Sequence, residues 1–200
     1  VHGVSLKPGK PLCLAVLEGT PAAILPGFPA SATFTFSKFI DPILRAMSGL
    51  PPEQKTTVKA SVPARLNSDK GRTEFHLVHL VRKAEGFKAY STGKGSGSIT
   101  GFARADGFME IPRNTEMIEA GQDVTIQLLG EAARPPDLMF IGSHCVGLDY
   151  LMGEMQKRGV SCRFLAVGSM GGVMAAKRGE CDISGIHLLE EDSGMYNQHL

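Results

Sequence analysis

The sequence predicts a chain that is α/β at both ends and all-β in the middle. Two observations carry that prediction. The hydrophobic period changes from helical to alternating and back again, and a Pro-Pro stretch stands near each change, "SGLPPEQ" and then "GEAARPPD". The expected domains are 1–50, 54–130 and 137–200: the end of an α/β domain, a small all-β barrel or sandwich, and the start of a second α/β domain.

In the first region "PLCLAVLE" and "TPAAILPG" read as short apolar strands around a turn at Gly19. Behind them Phe36, Phe39, Ile40, Ile43, Leu44 and Met47 recur at three- and four-residue steps, one face of a helix. Ser31 suits its N-cap and Gly49 its C′ position. Pro42 falls inside the helix and should kink it.

The middle region alternates Val58, Ala60 and Val62, and later Val124, Ile126 and Leu128, with β-forming "EFHLVHLVR" between them. Turn signals at "NSDKG", "AEG", "ADG" and "EAGQ" separate the strands. The last region runs "LMFIGS", "VGLDYLMGEMQKRG", "CRFLAVGS", "MGGVMAAKRGE" and "CDISGIHLL". Strand, helix, strand, helix, strand implies a parallel sheet.

Composition excludes some classes. The net charge of +1 gives no general basic field, so nucleic acid is not expected. No apolar run approaches the ~20 residues of a membrane span, and no signal peptide opens the chain, so a cytoplasmic protein is expected. Cys13, Cys145, Cys162 and Cys181 lack metal-site spacing and read as buried free thiols. Val1 follows no capping signal and "SGMYNQHL" stops without one, which reads as a piece of a longer protein.

Several residues are candidates for chemistry. "LKPGKP" fixes Lys7 and Lys10 in one turn between two prolines, either a site for an anion or an ordinary surface turn. "LPGFPAS" sets Gly27 and Ser31 at a helix start, where unpaired N–H groups suit phosphate or another oxyanion. Arg72 could grip an oxyanion bidentately or lie solvated in its turn. Ser96 and Ser98 belong to the glycine-rich "GKGSGSITG", a ligand loop or a plain hairpin. His76 and His79 stand three apart in a strand, so they face opposite sides and are not paired metal ligands. In the last region "FIGSHCVG" and "AVGSMGGV" each end a strand with Gly-Ser before a helix. They place Ser143, His144, Ser169 and Gly171 at the carboxyl edge of the sheet, a small-ligand cleft or simple caps. Ser143 and His144 have no relay spacing, and no dinucleotide or Walker motif is present.

"VHGVSLKPGKP", "LPGFPASATFTFSKFIDPIL", "KGRTEF" and "GSGSITGFARADGFMEIP" together resemble the MoeA-type molybdopterin molybdotransferases, the molybdenum insertases, up to Leu129. "GSHCVGLDYL", "GSMGGVMAAKRGE" and "ISGIHLL" are similar to part of a periplasmic-binding-protein-like domain related to LysR-type substrate-binding domains. The resemblance implies that the first region ends a MogA-like α/β domain. It also implies that Lys7, Lys10, Pro26, Gly27, Ser31, Arg72 and Ser96 or Ser98 contact substrate. The substrates would be adenylylated molybdopterin and molybdate, with AMP released, magnesium held by ligands outside this chain, and a homodimer as the usual assembly. Phe28 stands where the family usually has Asn. An enzyme piece inactive alone is one expectation; a non-catalytic oxyanion or pterin sensor on the same scaffold is the other.

Overall fold

The structure, a computed structural model, describes residues 1–83, 86–92, 99–129, 136–191 and 193–197. Its contacts form two units, one of Val1–Leu80 with Phe87–Ala133 and one of Val81–Gly86 with Arg134–Leu200.

The first unit begins with the short strand β1 (Leu6–Lys7) and the hairpin strands β2 (Cys13–Leu17) and β3 (Thr20–Ile24). Glu18 and Gly19, at φ 49 and 80, close that hairpin as a two-residue turn with Leu17 opposite Thr20. Helix α1 (Pro29–Thr35) runs through one π turn, Phe36–Ile40, into α2 (Asp41–Met47). Pro42 explains the π turn. It has no N–H to give to the carbonyl four residues back, and the ladder instead widens so that Asp41 N–H reaches Phe36 O. Gly49, at φ 66, ends the helix, and Leu50 N–H reaches back to Arg45 O at 2.9 Å. The helical periodicity was therefore informative, yet the face it marks is largely open: Ile43, Leu44 and Met47 are exposed.

Next come β4 (Thr57–Ser61), β5 (Leu66–Asn67), β6 (Thr73–Lys83), β7 (Gly86–Ser91), α3 (Ile99–Arg104), β8 (Gly107–Ile111), β9 (Met117–Ile118) and β10 (Asp123–Leu128). Strands β6, β7, β4, β10 and β8 pair in that order and β8 pairs back with β6, which closes a five-stranded barrel. Closure leaves this sheet only the β6 flank on which β1 lies, with Lys7 opposite Glu74. The alternating residues read from the sequence fill the interior. Ala60, Val62, Val78, Leu80, Met109, Ile111 and Ile126 are buried together.

A second cluster lies outside the barrel and docks α1 on it. Phe34 stacks on Phe75 with centroids 4.6 Å apart and meets the edge of Phe108 at 5.0 Å. Lys38, in the π turn, adds bonds of 2.8 and 3.0 Å to Glu110 of β8.

In the second unit β11 (Leu138–Gly142) pairs in parallel with β12 (Cys162–Ala166), followed respectively by α4 (Val146–Lys157) and α5 (Gly168–Lys177). Ile183 pairs in parallel with Phe140, so Phe140 sits between two neighbours and is fully buried. A side chain at Gly172 would stand 2.7 Å from the Gly142 Cα, so α5 packs on β11 backbone to backbone. The thiols are free, as expected, but Cys145 is exposed and the other three are half-buried, so the expectation of buried thiols is corrected. A thiol after a strand end has no apolar layer above it.

Barrel packing should dominate the stability of the first unit. Ile126→Ala removes a fully buried side chain and is expected to cost about 2–5 kcal/mol. Val16→Ala, on the exposed hairpin, should stay within about 0.5 kcal/mol. Equilibrium urea unfolding of both variants checks this; equal effects would show that the barrel interior is not what holds the unit.

Candidate functional site

Six of the residues singled out in the sequence line one cleft of about 700 Å³ in the first unit: Lys7, Lys10, Pro26, Gly27, Ser31 and Arg72. They come from three separate segments. The "LKPGKP" turn begins at β1, which is held beside β6, and Arg72 directly precedes β6. The "LPGFPAS" loop ends at α1, which the phenylalanine cluster fixes against the same barrel face. Gly9, at φ 124, lets the lysine turn approach α1 closely, because a side chain there would come within 2.6 Å of the Thr35 methyl. The Lys7–Pro8 bond is cis. Ser96 and Ser98 lie outside the described residues.

The two lysines differ electrostatically. Lys7 Nζ donates to Asp69 Oδ2 at 2.7 Å and lies 3.1 Å from Glu74 Oε1. Glu74 is buried, and its other oxygen accepts from Ser68 Oγ at 2.8 Å and from Asp69 N–H at 3.1 Å. His76 Nε2 stands 3.1 Å from Oε1 as well. Lys7 is thus no bare cation awaiting an anion; the chain supplies two carboxylates to it. Lys10 and Arg72, by contrast, make no ion pair with any described residue.

Burial alone would raise the Glu74 carboxyl, but the Ser68 and Lys7 hydrogen bonds, the Asp69 amide and the charge of His76 outweigh it and hold the group below its ordinary 4.5. Burial likewise works to lower Lys7, and the bonds to Asp69 and Glu74 overcome it, so its ammonium is held above 10.5. The cleft therefore keeps one ionised carboxylate under three cationic side chains, of which two are unpaired among the described residues.

Ser31 is not the N-cap. Phe28 occupies that position, in extended backbone and without a side-chain capping bond, and Pro29 opens the helix. A proline at the first helical position shifts the cap to the residue before it, and this places Ser31 inside the helix, buried on the cleft side. Phe28 itself is exposed on the cleft. His76 and His79 point apart, as expected: the first meets Glu74 and the second lies 3.8 Å from Asp106.

In the second unit Ser143–His144 and Ser169–Gly171 follow neighbouring parallel strands, at one edge of the sheet. Neither serine caps a helix, since Cys145 and Val167 hold those positions. Both make hydrogen bonds to the segment that follows α5. Ser143 N–H reaches Gly185 O at 2.7 Å, and Ser169 Oγ accepts from His187 N–H at 2.9 Å. His144 Nε2 faces Asp149 Oδ1 at 2.9 Å. Gly185 and His187 thus bond the Ser143 amide and the Ser169 hydroxyl. No group of three or more His, Cys, Asp or Glu among the described residues stands close enough to hold a metal ion. Among the described residues no helix is long and apolar enough to cross a membrane.

A closed barrel with a helix and a lysine turn docked on its outer face is the arrangement that the comparisons with known proteins address. Residues 59–129 match the MoeA C-terminal region (domain IV), and residues 152–200 match a PBP superfamily domain. The chain is 32% identical over 123 residues to molybdopterin molybdenumtransferase 2 of Mycobacterium tuberculosis, which covers 62% of this chain and 30% of the relative. To the molybdopterin molybdenumtransferase of Nostoc it is 31% identical over 133 residues, 63% of this chain and 30% of the relative. Among solved structures, a molybdopterin biosynthesis MoeA protein from Pyrococcus horikoshii matches with TM-score 0.54 and 34% identity, over 66% of this chain and 32% of that one. Up to about Leu129 the chain is similar to MoeA-type proteins, and its last part is similar to a PBP superfamily domain. It spans about 30% of the length of the curated relatives it matches.

The Glu74 contacts predict a pH dependence. A carboxyl held below its unfolded value stabilises the fold above that value, near 4.5, and the gain is lost as pH falls through the folded one. Glu74→Gln should therefore cost on the order of 1–3 kcal/mol at pH 7. The gap to the parent should shrink in melts taken below about pH 4. A gap independent of pH between 3 and 7 would show that the carboxylate charge is not what the neighbours recognise.

Proposed function

We propose that this chain is the C-terminal part of a molybdenum insertase and that its cleft is an anion-binding portion of that enzyme's substrate site. The observation that supports the reading is the convergence of Lys10 and Arg72, unpaired among the described residues, with Lys7, Gly27 and Ser31 around one cleft. Such a set suits the molybdate oxyanion and the phosphates of adenylylated molybdopterin. A planar guanidinium and an ammonium on a restricted turn lose little freedom on binding, so most of the charge-assisted gain is kept. The complete reaction is the insertion of molybdate with release of AMP. The acidic residues that would bind magnesium are assigned to the rest of a longer protein.

The open apolar surface fits this assignment. Val16, Leu17 and Ile24 of the hairpin and Ile43, Leu44 and Met47 of α2 are exposed. They would pack against the remaining domains, or the second subunit of a homodimer. The chain alone is then expected to bind anions without turnover. A non-catalytic oxyanion or pterin sensor is the second reading, favoured by the exposed Phe28 in place of a polar side chain.

Calorimetric titration of the 200-residue chain with molybdate tests the shared core of both readings. Lys10→Ala and Arg72→Ala are each expected to weaken binding by about 1.5–3 kcal/mol. Saturating heat that neither substitution changes would remove the cleft from the anion site. Molybdate-dependent release of AMP by the longer protein, lost in the same variants, would separate the enzyme from the sensor.

A further inference from the structure

We propose that Phe28 is a stacking platform for a planar heteroaromatic ring of the ligand that the cleft binds. The inference rests on the anion reading above and adds a second recognition element to it.

Phe28 is 61% exposed while it lines the cleft. The other cleft phenylalanines are spent on packing: Phe34 and Phe75 are buried against each other and against Phe108. Among the described residues Phe28 has no aromatic partner, and most of its surface is exposed. Its backbone is held in place. Pro29 disfavours helical geometry at the preceding residue, Phe28 holds φ −78 and ψ 130, and its carbonyl accepts from Ala32 N–H at 2.9 Å. The ring is therefore displayed from a fixed point, and Gly27 beside it carries no side chain that would cover it, with open space around its Cα. The cleft, at about 700 Å³, is within the range that holds small organic ligands rather than ions alone. Lys10 and Arg72 give it anion affinity; Phe28 gives it an apolar, flat surface. A bare oxyanion uses only the first. A purine or pterin ring attached to a phosphate uses both, because π-faces stack on an aromatic side chain with little demand on ring identity.

Competition between matched probes tests this on the 200-residue chain. AMP and ribose 5-phosphate share the sugar phosphate and differ by the base. AMP is expected to bind about tenfold more tightly, and Phe28→Ala to abolish that difference while ribose 5-phosphate and molybdate affinities stay within about twofold. Phe28→Trp should keep the preference, which separates stacking from mere loss of folded structure. Equal affinities for the two probes in the parent chain, or a Phe28→Ala loss shared by both, would overturn the platform. A preference for AMP that depends on Phe28 but not on Lys10 or Arg72 would keep the platform and overturn the anion reading.

Discussion

Everything at the cleft depends on one contact, the stack of Phe34 on Phe75. Phe34 belongs to a seven-residue helix that could not persist alone, and Phe75 to the longest barrel strand. Their faces lie 7° from parallel, and Phe108 and Phe102 close on them edge to face. Aromatic pairs of this kind add about 0.5–1.5 kcal/mol each beyond the area they bury. The helix is thereby held at one height on the barrel. The loop that enters it, with Gly27 and Phe28, is then held opposite the lysine turn and Arg72. Without the stack the loop that enters α1 would lose its hold on the barrel, while the β1–β6 pairing would still join the lysine turn to Arg72.

The barrel and the parallel sheet were legible because periodicity is a local record of burial. Ile126 and Ala60 alternate with solvent-facing neighbours, and the structure buries them. Gly49 and Gly19 were legible for a different reason, since both need positive φ. The helix cap was not. Ser31 has the right chemistry, but Pro29 decides the matter by its missing N–H, and the cap falls on Phe28, whose side chain offers no acceptor. Type alone misled where backbone geometry ruled.

Site residues were legible as types and not as partners. Nothing near "LKPGKP" announces that Asp69 and Glu74, more than sixty positions on, will neutralise Lys7. The pairing follows from register: β1 lies parallel to β6 with Lys7 opposite Glu74, and strand pairing across such a separation is invisible to local reading. The same limit applies to Ser143 and Ser169. Their motifs do stand side by side, and the bonds from Gly185 to the Ser143 amide and from His187 to the Ser169 hydroxyl follow from packing that no local reading shows.

The asymmetry between the two lysines has a chemical consequence. Lys7 pairs with Asp69, which is half exposed, and with Glu74, which is buried. The exposed pair contributes little on its own, because water and salt screen it. The Glu74 pair is different: a buried carboxylate left without Lys7, Ser68 and the Asp69 amide would carry a desolvation cost of several kcal/mol. An incoming anion therefore cannot draw Lys7 away without leaving Glu74 short of a donor, and it would meet the carboxylate's own repulsion. Lys10 and Arg72 carry no such obligation toward any described residue. In the anion site we propose, affinity therefore falls to Lys10 and Arg72, while Lys7 and Glu74 stay fixed to each other.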